Sequence, residues 1–244
     1  MDADTSQRLI DLNQQFYQTF AQPFSITRQR LQPGVRRLLE TISIEASLLD
    51  LGCGNGELWR ALAARGQRGA YLGVDFSAGL LQAARELTTL SDNADQARFF
   101  QADLTRPDWA EAIAISPVDA ATAFAVMHHL PGVERRAQFL RQARGLIAPQ
   151  GRLYFSNWQF LNSERLRARI QPWSAIGLAP EQVDTGDYLL DWRQGGYGLR
   201  YVHHFSEAEL DELAQISGFR IRGSFYSDGE GGRLSIYQTW ELLE

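Results

Sequence analysis

Residues 48–57 read LLDLGCGNGE. An apolar run with Asp50 inside it gives way to glycines at every second position, Gly52, Gly54 and Gly56. A helix-compatible stretch follows. A buried strand that enters a glycine turn and leaves as a helix opens a βαβ unit. The glycines let the backbone approach a ligand closely, and the helix start aims N–H groups at it. The dinucleotide turn is spaced G-x-G-x-x-G, whereas this one is G-x-G-x-G, and no basic residue follows until Arg60. A pyrophosphate is therefore a poor match.

Outward from this turn the pattern alternates. Strands are predicted at 47–51, 70–75, 97–103, 118–126 and 151–157, with helices at 56–65, 77–89, 107–114 and 132–147 between them. Such alternation indicates a parallel sheet with helices on both faces, an α/β class. Ahead of it lie an amphipathic helix at 4–21, with Leu9, Leu12, Phe16 and Phe20 on one side, and a second helix at 33–44 opening at Pro33. Residues 158–202 break the alternation with Gly-rich turns and three tryptophans, Trp158, Trp173 and Trp192. A helix then runs over 206–217, with Ser206 as N-cap, Glu209 completing a capping box and Gly218 ending it. FRIRGSFYS and RLSIYQTWEL, joined by DGEGG, read as an antiparallel hairpin.

Composition narrows the chemistry. The 244 residues suit one large α/β domain or one domain with an insertion, and 44% are hydrophobic. No run approaches a membrane span and the N-terminus lacks a signal-peptide core, so a soluble, cytoplasmic protein is expected. The single cysteine, Cys53, rules out an internal disulfide and argues against a Cys/His zinc cluster, so no metal is expected. All 24 positive residues are arginine, which excludes a Schiff-base or P-loop lysine. The arginines reflect either a coding bias or a surface rich in phosphate-binding forks. A net charge of −5 advertises no global nucleic-acid field.

Three acids end successive strands or sit in them: Asp50, Asp75 and Asp103. They would line the carboxyl edge of the sheet, where ligands of such folds bind. The arrangement suits an adenosine with a positively charged tail. Asp75 would accept both ribose hydroxyls, Asp103 the adenine amino group, and Leu104 would pack on the ring. The glycine backbone would pass beside the amino-acid portion.

LLDLGCGNGE, LGVDFSAGLL (72–81), QADL (101–104) and FAVMHHL (124–130), in this order, resemble the motifs of class I S-adenosylmethionine (SAM) methyltransferases. The resemblance covers about residues 34–157 and 204–242. It implies SAM as cofactor and a Rossmann-like, seven-stranded, mostly parallel sheet closed by the antiparallel hairpin. One domain over 1–244 is expected, with a helical lid (1–46), a SAM-binding half (47–157), a substrate-side insertion (158–205) and the final helix and hairpin (206–244). The implied cofactor residues are Asp50, Gly52, Cys53, Gly54, Asn55, Asp75, Phe76, Ser77, Asp103, Leu104 and backbone near Phe124. Cys53 is read as a small residue in a tight turn, without a catalytic role.

Methyl transfer is an in-line displacement, so positioning dominates. The family places residues facing the methyl group after strand four, where MHHLP stands. His128 and His129 each serve either as a base or as packing and capping for the next helix; His129 is the candidate catalytic residue. A carboxylate acceptor needs no base, only positive groups to hold it.

A narrower resemblance concerns the acceptor. FSITRQRLQPG (24–34), DYLLDW (187–192), LRYVHHFSEAELDEL (199–213) and SFYSDGEGG (224–232) are similar to segments of the tRNA methyltransferases that esterify 5-carboxymethyluridine at the wobble position. The family's Arg-Tyr-Tyr-His-x-Phe run here reads Arg200-Tyr201-Val202-His203-His204-Phe205, whereas EGGRLSIY and YFSNW depart from its Asn-Trp and YVWA features. On this resemblance Arg28, Arg200 and His203 hold a carboxylate and Tyr17, Trp192 or Tyr201 stack on uracil, with Arg28 alternatively binding the cofactor's own carboxylate. Arginines 28, 30, 36 and 37, then 135, 136, 141 and 144, then 165, 167 and 169 form either phosphate-binding faces or solvated helix faces. The partner is thus tRNA or a small-molecule acceptor, with Trp158, Trp173 and Trp192 walling a metabolite pocket in the second case. A non-catalytic SAM-binding subunit is the third reading.

Overall fold

The computed structural model describes residues 1–20, 30–89 and 94–243. Arg28 lies outside the described residues.

Helix α1 (Ala3–Thr19) starts where the Asp2 side chain accepts from Thr5 N at 2.7 Å. Helix α2 (Pro33–Leu39) is shorter than the predicted 33–44. Thr41 Oγ1 takes the Leu38 carbonyl at 2.7 Å, and Thr41 N and Ile42 N bond three residues back, so the end tightens into turns. The alternating section follows as β1 (Leu48–Leu51), α3 (Glu57–Ala64), β2 (Tyr71–Asp75), α4 (Ala78–Thr88), β3 (Ala97–Gln101), β4 (Val118–Phe124), α5 (Val133–Gly145) and β5 (Ile147–Trp158).

The helix predicted at 107–114 is not formed; those residues make successive turns. Glu111 N and Ile113 N bond only three residues back, and Ala110 N is taken by Gln142 Oε1 of α5 at 3.0 Å. Burial of Trp109 and Ile113 holds the segment instead. This is tertiary packing overriding local propensity.

The insertion contains its own structure: α6 (Glu164–Arg167) and a three-stranded antiparallel sheet of β6 (Ile170–Gln171), β7 (Asp187–Trp192) and β8 (Gly198–His203), in the order β6-β7-β8. Helix α7 (Glu207–Ile216) begins at Ser206, whose Oγ accepts from Glu209 N at 3.1 Å. Only half of the predicted capping box exists, because the Glu209 carboxylate turns to Arg136 and His203. Strands β9 (Phe219–Ser227) and β10 (Ser235–Leu242) form the expected hairpin.

The main sheet has seven strands in the order β3-β2-β1-β4-β5-β10-β9. Strands β1 to β5 pair in parallel, and β10 is antiparallel to both β5 and β9. Strand alternation sends Leu49, Leu51, Leu153 and Trp240 into one apolar layer with Trp109 and Phe139. Leu48, Tyr154 and Tyr237 face the other, with Trp59 and Tyr71. Both faces are covered, which is why β1 reads as an unbroken apolar run around Asp50. The order turns at β1, flanked by β2 on one side and β4 on the other. The crevice beyond its carboxyl end is where such sheets take ligands. No helix among the described residues is long and apolar enough to cross a membrane.

Candidate active site

The glycine turn leaves β1 with left-handed backbone at Gly52 (φ +78°) and Gly54 (φ +54°). A Cβ on Gly52 would lie 2.4 Å from Val126 Cγ2, so neither conformation nor space admits another residue. Gly52 N and Cys53 N both donate to Val74 O, at 2.7 and 3.0 Å, which pins the turn to β2. At the end of β2, Asp75 Oδ2 accepts from Gly54 N and Oδ1 from Ser77 N, both at 2.9 Å. Each oxygen retains a lone pair for a further donor. Burial raises the Asp75 pKa, and the backbone donors hold it back.

Asp50 belongs to the wall in another way. It is 4% exposed, and both oxygens are engaged, by Tyr71 Oη at 2.6 Å and Thr122 Oγ1 at 2.8 Å. Burial pushes its pKa up to about 6 against these two donors. Burial likewise drives the Cys53 thiol well above its usual range, so it is not a thiolate nucleophile.

These groups open onto one cavity of about 500 Å³, a size suited to a small-molecule ligand. Gly52, Cys53, Gly54, Asn55, Asp75, Phe76, Asp103, Leu104 and Phe124 all line it. Ser77 does not; it caps α4, its Oγ accepting from Leu80 N at 3.3 Å. The lining fits an adenosine carrying a sulfonium tail. A carboxylate with spare lone pairs faces it, a backbone turn approaches without side chains, and the nearest basic residue after the turn, Arg60, is occupied by Glu57.

Helix α1 closes over this crevice. Gln14 Nε2 donates to Asp103 Oδ2 at 2.8 Å, while Thr105 N and Oγ1 hold Oδ1. Tyr17 Oη lies 2.7 Å from His129 Nε2, and His129 Nδ1 lies 3.2 Å from the Tyr201 carbonyl. A carbonyl only accepts, so Nδ1 carries the proton and Nε2 accepts from Tyr17. His128 is buried beside it, its Nδ1 accepting from Trp158 N at 3.3 Å. Asn13 bridges the Tyr201 backbone, donating to its O at 3.1 Å and accepting from its N at 2.8 Å. Sequence reasoning missed Asn13 and Gln14. The signal was present: two amides share a helix face with Ile10 and Tyr17, where apolar residues are the norm.

The second wall comes from the insertion and the hairpin. Trp158, Trp192 and Arg200 line the cavity. The Arg200 guanidinium lies 4.8, 5.4 and 5.5 Å from the rings of Trp158, Phe16 and Trp192. Asp228, which the sequence did not single out, joins α2 to the hairpin by accepting from Gly34 N at 3.0 Å and Tyr237 Oη at 2.5 Å.

Three expectations require correction. Tyr201 and His203 do not line the cavity; β8 alternation turns them into the interior, where they are 0% and 1% exposed. Tyr201 Oη donates to Asp187 Oδ1 at 2.7 Å and accepts from Arg136 at 3.0 Å. His203 sits between two carboxylates, Nδ1 2.6 Å from Asp187 and Nε2 2.9 Å from Glu209. The second arginine cluster is likewise no phosphate face. Arg136 is 1% exposed within this network, Arg135 bonds Ser6 and Thr105, Arg141 pairs with Glu134, and Arg144 caps carbonyls of Gly218 and Leu243. Trp173 packs with Leu9, Leu178 and Tyr201 away from the cavity. Arg30, Arg165 and Arg169, by contrast, reach the cavity wall.

Residues 49–153 match the family model described as a methyltransferase domain. The chain is 28% identical over 160 residues to the tRNA (carboxymethyluridine(34)-5-O)-methyltransferase of Mus musculus, covering 64% of this chain and 22% of that protein. It is 24% identical over 224 residues to the protein of the same description from Schizosaccharomyces pombe, covering 85% of this chain and 88% of that one. It is 32% identical over 145 residues to the trans-aconitate 2-methyltransferase of Azoarcus sp., covering 57% and 52%. The chain thus spans about a fifth of the mouse protein and half of the Azoarcus one. Among solved structures, the 1,6-didemethyltoxoflavin-N1-methyltransferase of Burkholderia thailandensis, with bound S-adenosylhomocysteine, superposes with a TM-score of 0.69 at 18% identity, covering 100% of this chain and 92% of that one. The seven-stranded sheet with the glycine turn at its switch point is the fold of SAM-dependent methyltransferase structures, and residues 49–153 within it match a methyltransferase domain.

Proposed function

We propose that the protein transfers a methyl group to a carboxylate oxygen, and that the acceptor is the carboxymethyl group of a tRNA wobble uridine. One observation carries this reading: Arg200, 5% exposed, presents its guanidinium on the cavity wall among three aromatic rings. Those rings keep water away, so its attraction for an anion is stronger than at a wet surface. The mouse and fission-yeast relatives are named for a carboxymethyl acceptor and the Azoarcus relative for trans-aconitate, all carboxylate-bearing.

Bound SAM supplies an electrophilic methyl on a sulfonium. Asp75 would accept from the ribose hydroxyls, Asp103 and Leu104 would hold the adenine, and the 52–55 backbone would follow the amino-acid tail. Arg200 holds and orients the acceptor carboxylate. Esterification of a carboxylate moves no proton, so no general base is required. Tyr17, donating to His129, shapes the floor between donor and acceptor.

A second reading, a small-molecule O- or N-methyltransferase, is favoured by the two tryptophans, Trp158 and Trp192, on the cavity wall.

The test is transfer of labelled methyl from SAM to tRNA bearing carboxymethyluridine, beside a panel of small carboxylates. Alkali-labile label in the tRNA is expected, since an ester hydrolyses. Arg200→Met should lower kcat/KM for the acceptor by about tenfold or more, the worth of a charge-assisted hydrogen bond. Label confined to the small carboxylates would replace the tRNA reading with the second one.

A further inference from the structure

The connection between β7 and β8, Arg193 to Tyr197, stands at the cavity mouth, where Trp192 and Gln194 line the wall. Tyr197 is 63% exposed, the most exposed large hydrophobic side chain among the described residues. Its backbone is nevertheless held. Cβ atoms on Gly196 and Gly198 would lie 3.0 and 2.5 Å from the Phe20 ring, so both flanking residues rest on that ring. Strand alternation at the start of β8 then turns the Tyr197 side chain away from Phe20. The result is an outward aromatic ring on an anchored backbone.

Charge identifies the occupant. Arg30, Arg165 and Arg169 line the same cavity, while its carboxylates take protein donors: Asp50 from Tyr71 and Thr122, Asp75 from backbone N–H groups, Asp103 from Gln14 and Thr105, Asp228 from Gly34 and Tyr237, and Glu57 from Arg60. Arg193 is not counted, since it folds onto Asp191 at 2.7 and 2.9 Å. Guanidinium forks on a cavity wall with an exposed aromatic ring on the adjoining turn match a single nucleic-acid strand: phosphates meet the forks and a base stacks on the ring. A protein partner or a compact metabolite needs no such pairing of arginines with a lone exposed ring.

We infer that Tyr197 is a stacking platform for a nucleotide flanking the methylated base, with Arg30, Arg165 and Arg169 guiding the strand into the cavity. The inference rests on the tRNA reading of the same site. It is tested by titrating a fluorescently labelled anticodon stem-loop RNA bearing carboxymethyluridine into the full chain and into Tyr197→Ala and Tyr197→Phe. SAM calorimetry on each variant verifies folding. Tyr197→Ala should weaken RNA binding about tenfold, and Tyr197→Phe should restore it, because the ring and not the hydroxyl stacks. Equal affinity of Tyr197→Ala, or absence of RNA binding by the unaltered chain, overturns the platform. Methyl transfer to the same RNA separates the two ideas. Tyr197-dependent binding without an ester retires the acceptor assignment alone. Ester formation with kcat/KM unchanged in Tyr197→Ala retires the platform alone.

Discussion

Asp50 and Asp75 stand about 25 positions apart in the chain and serve opposite purposes within one site. Asp75 keeps lone pairs directed at the cavity, whereas Asp50 spends its oxygens on Tyr71 and Thr122. Asp75→Ala should therefore weaken SAM binding about tenfold or more in calorimetry, through loss of charge-assisted bonds. Unchanged affinity would remove Asp75 from the ribose. Asp50 yields a stability prediction. Its folded pKa, about 6, lies above the ordinary value of 3.8, so between these pH values the folded state binds more protons than the unfolded chain. Its contribution is fully present below pH ~4 and is lost as pH rises through about 6. Asn does not titrate there. The stability of Asp50→Asn relative to the unaltered protein should shift towards the variant by up to about 3 kcal/mol between pH 4 and pH 7, read from urea unfolding at both ends. A difference that does not change with pH would sink the assignment.

At the scale of elements, most strands were legible because a parallel sheet covered on both faces needs continuous apolar runs. The failures share a cause. Residues 107–114 look helical by composition, but Gln142 of α5 captures a backbone donor that a helix would use. The insertion reads as irregular because β6 to β8 are short and interrupted by glycine turns, and pairing between them supplies their order. Helix α1 is fastened to β8 mainly through Asn13. Asn13→Ala leaves the Tyr201 N–H unpaired in the interior, with His129 alone on the carbonyl, and should cost about 2 kcal/mol. Hydrogen exchange at the Tyr201 amide should accelerate accordingly; unchanged protection would mean that packing alone seats α1.

Across the whole molecule, the Arg136–Asp187–His203–Glu209 cluster ties α5, β7, β8 and α7 together behind His129. Arg136 also donates to the Leu130 carbonyl at 2.9 Å, one residue beyond that histidine. Such a cluster contributes little net stability when intact but is costly to break. Arg136→Met should destabilise the protein by about 3–5 kcal/mol in chemical denaturation, since Asp187 and Glu209 lose the buried cation they share. Stability within about 1 kcal/mol of the original would show that Tyr201 and His203 suffice to hold Asp187.

What the amino-acid order determined by itself is local: the strand–glycine turn–helix unit, the acids at strand ends, the capped final helix and the hairpin. Each depends on backbone conformation and nearest-neighbour periodicity, which a short stretch of residues already contains. The face of a strand is not local in that way. Arg200 and Tyr201 are adjacent in β8, yet one lines the cavity and the other is sealed in the interior, because alternation becomes inside and outside only when β8 finds β7 and α1. Tertiary packing likewise turned Arg135, Arg136 and Arg144 of α5 into structural ties. It also brought Asn13 and Gln14, which no motif marks, into the site.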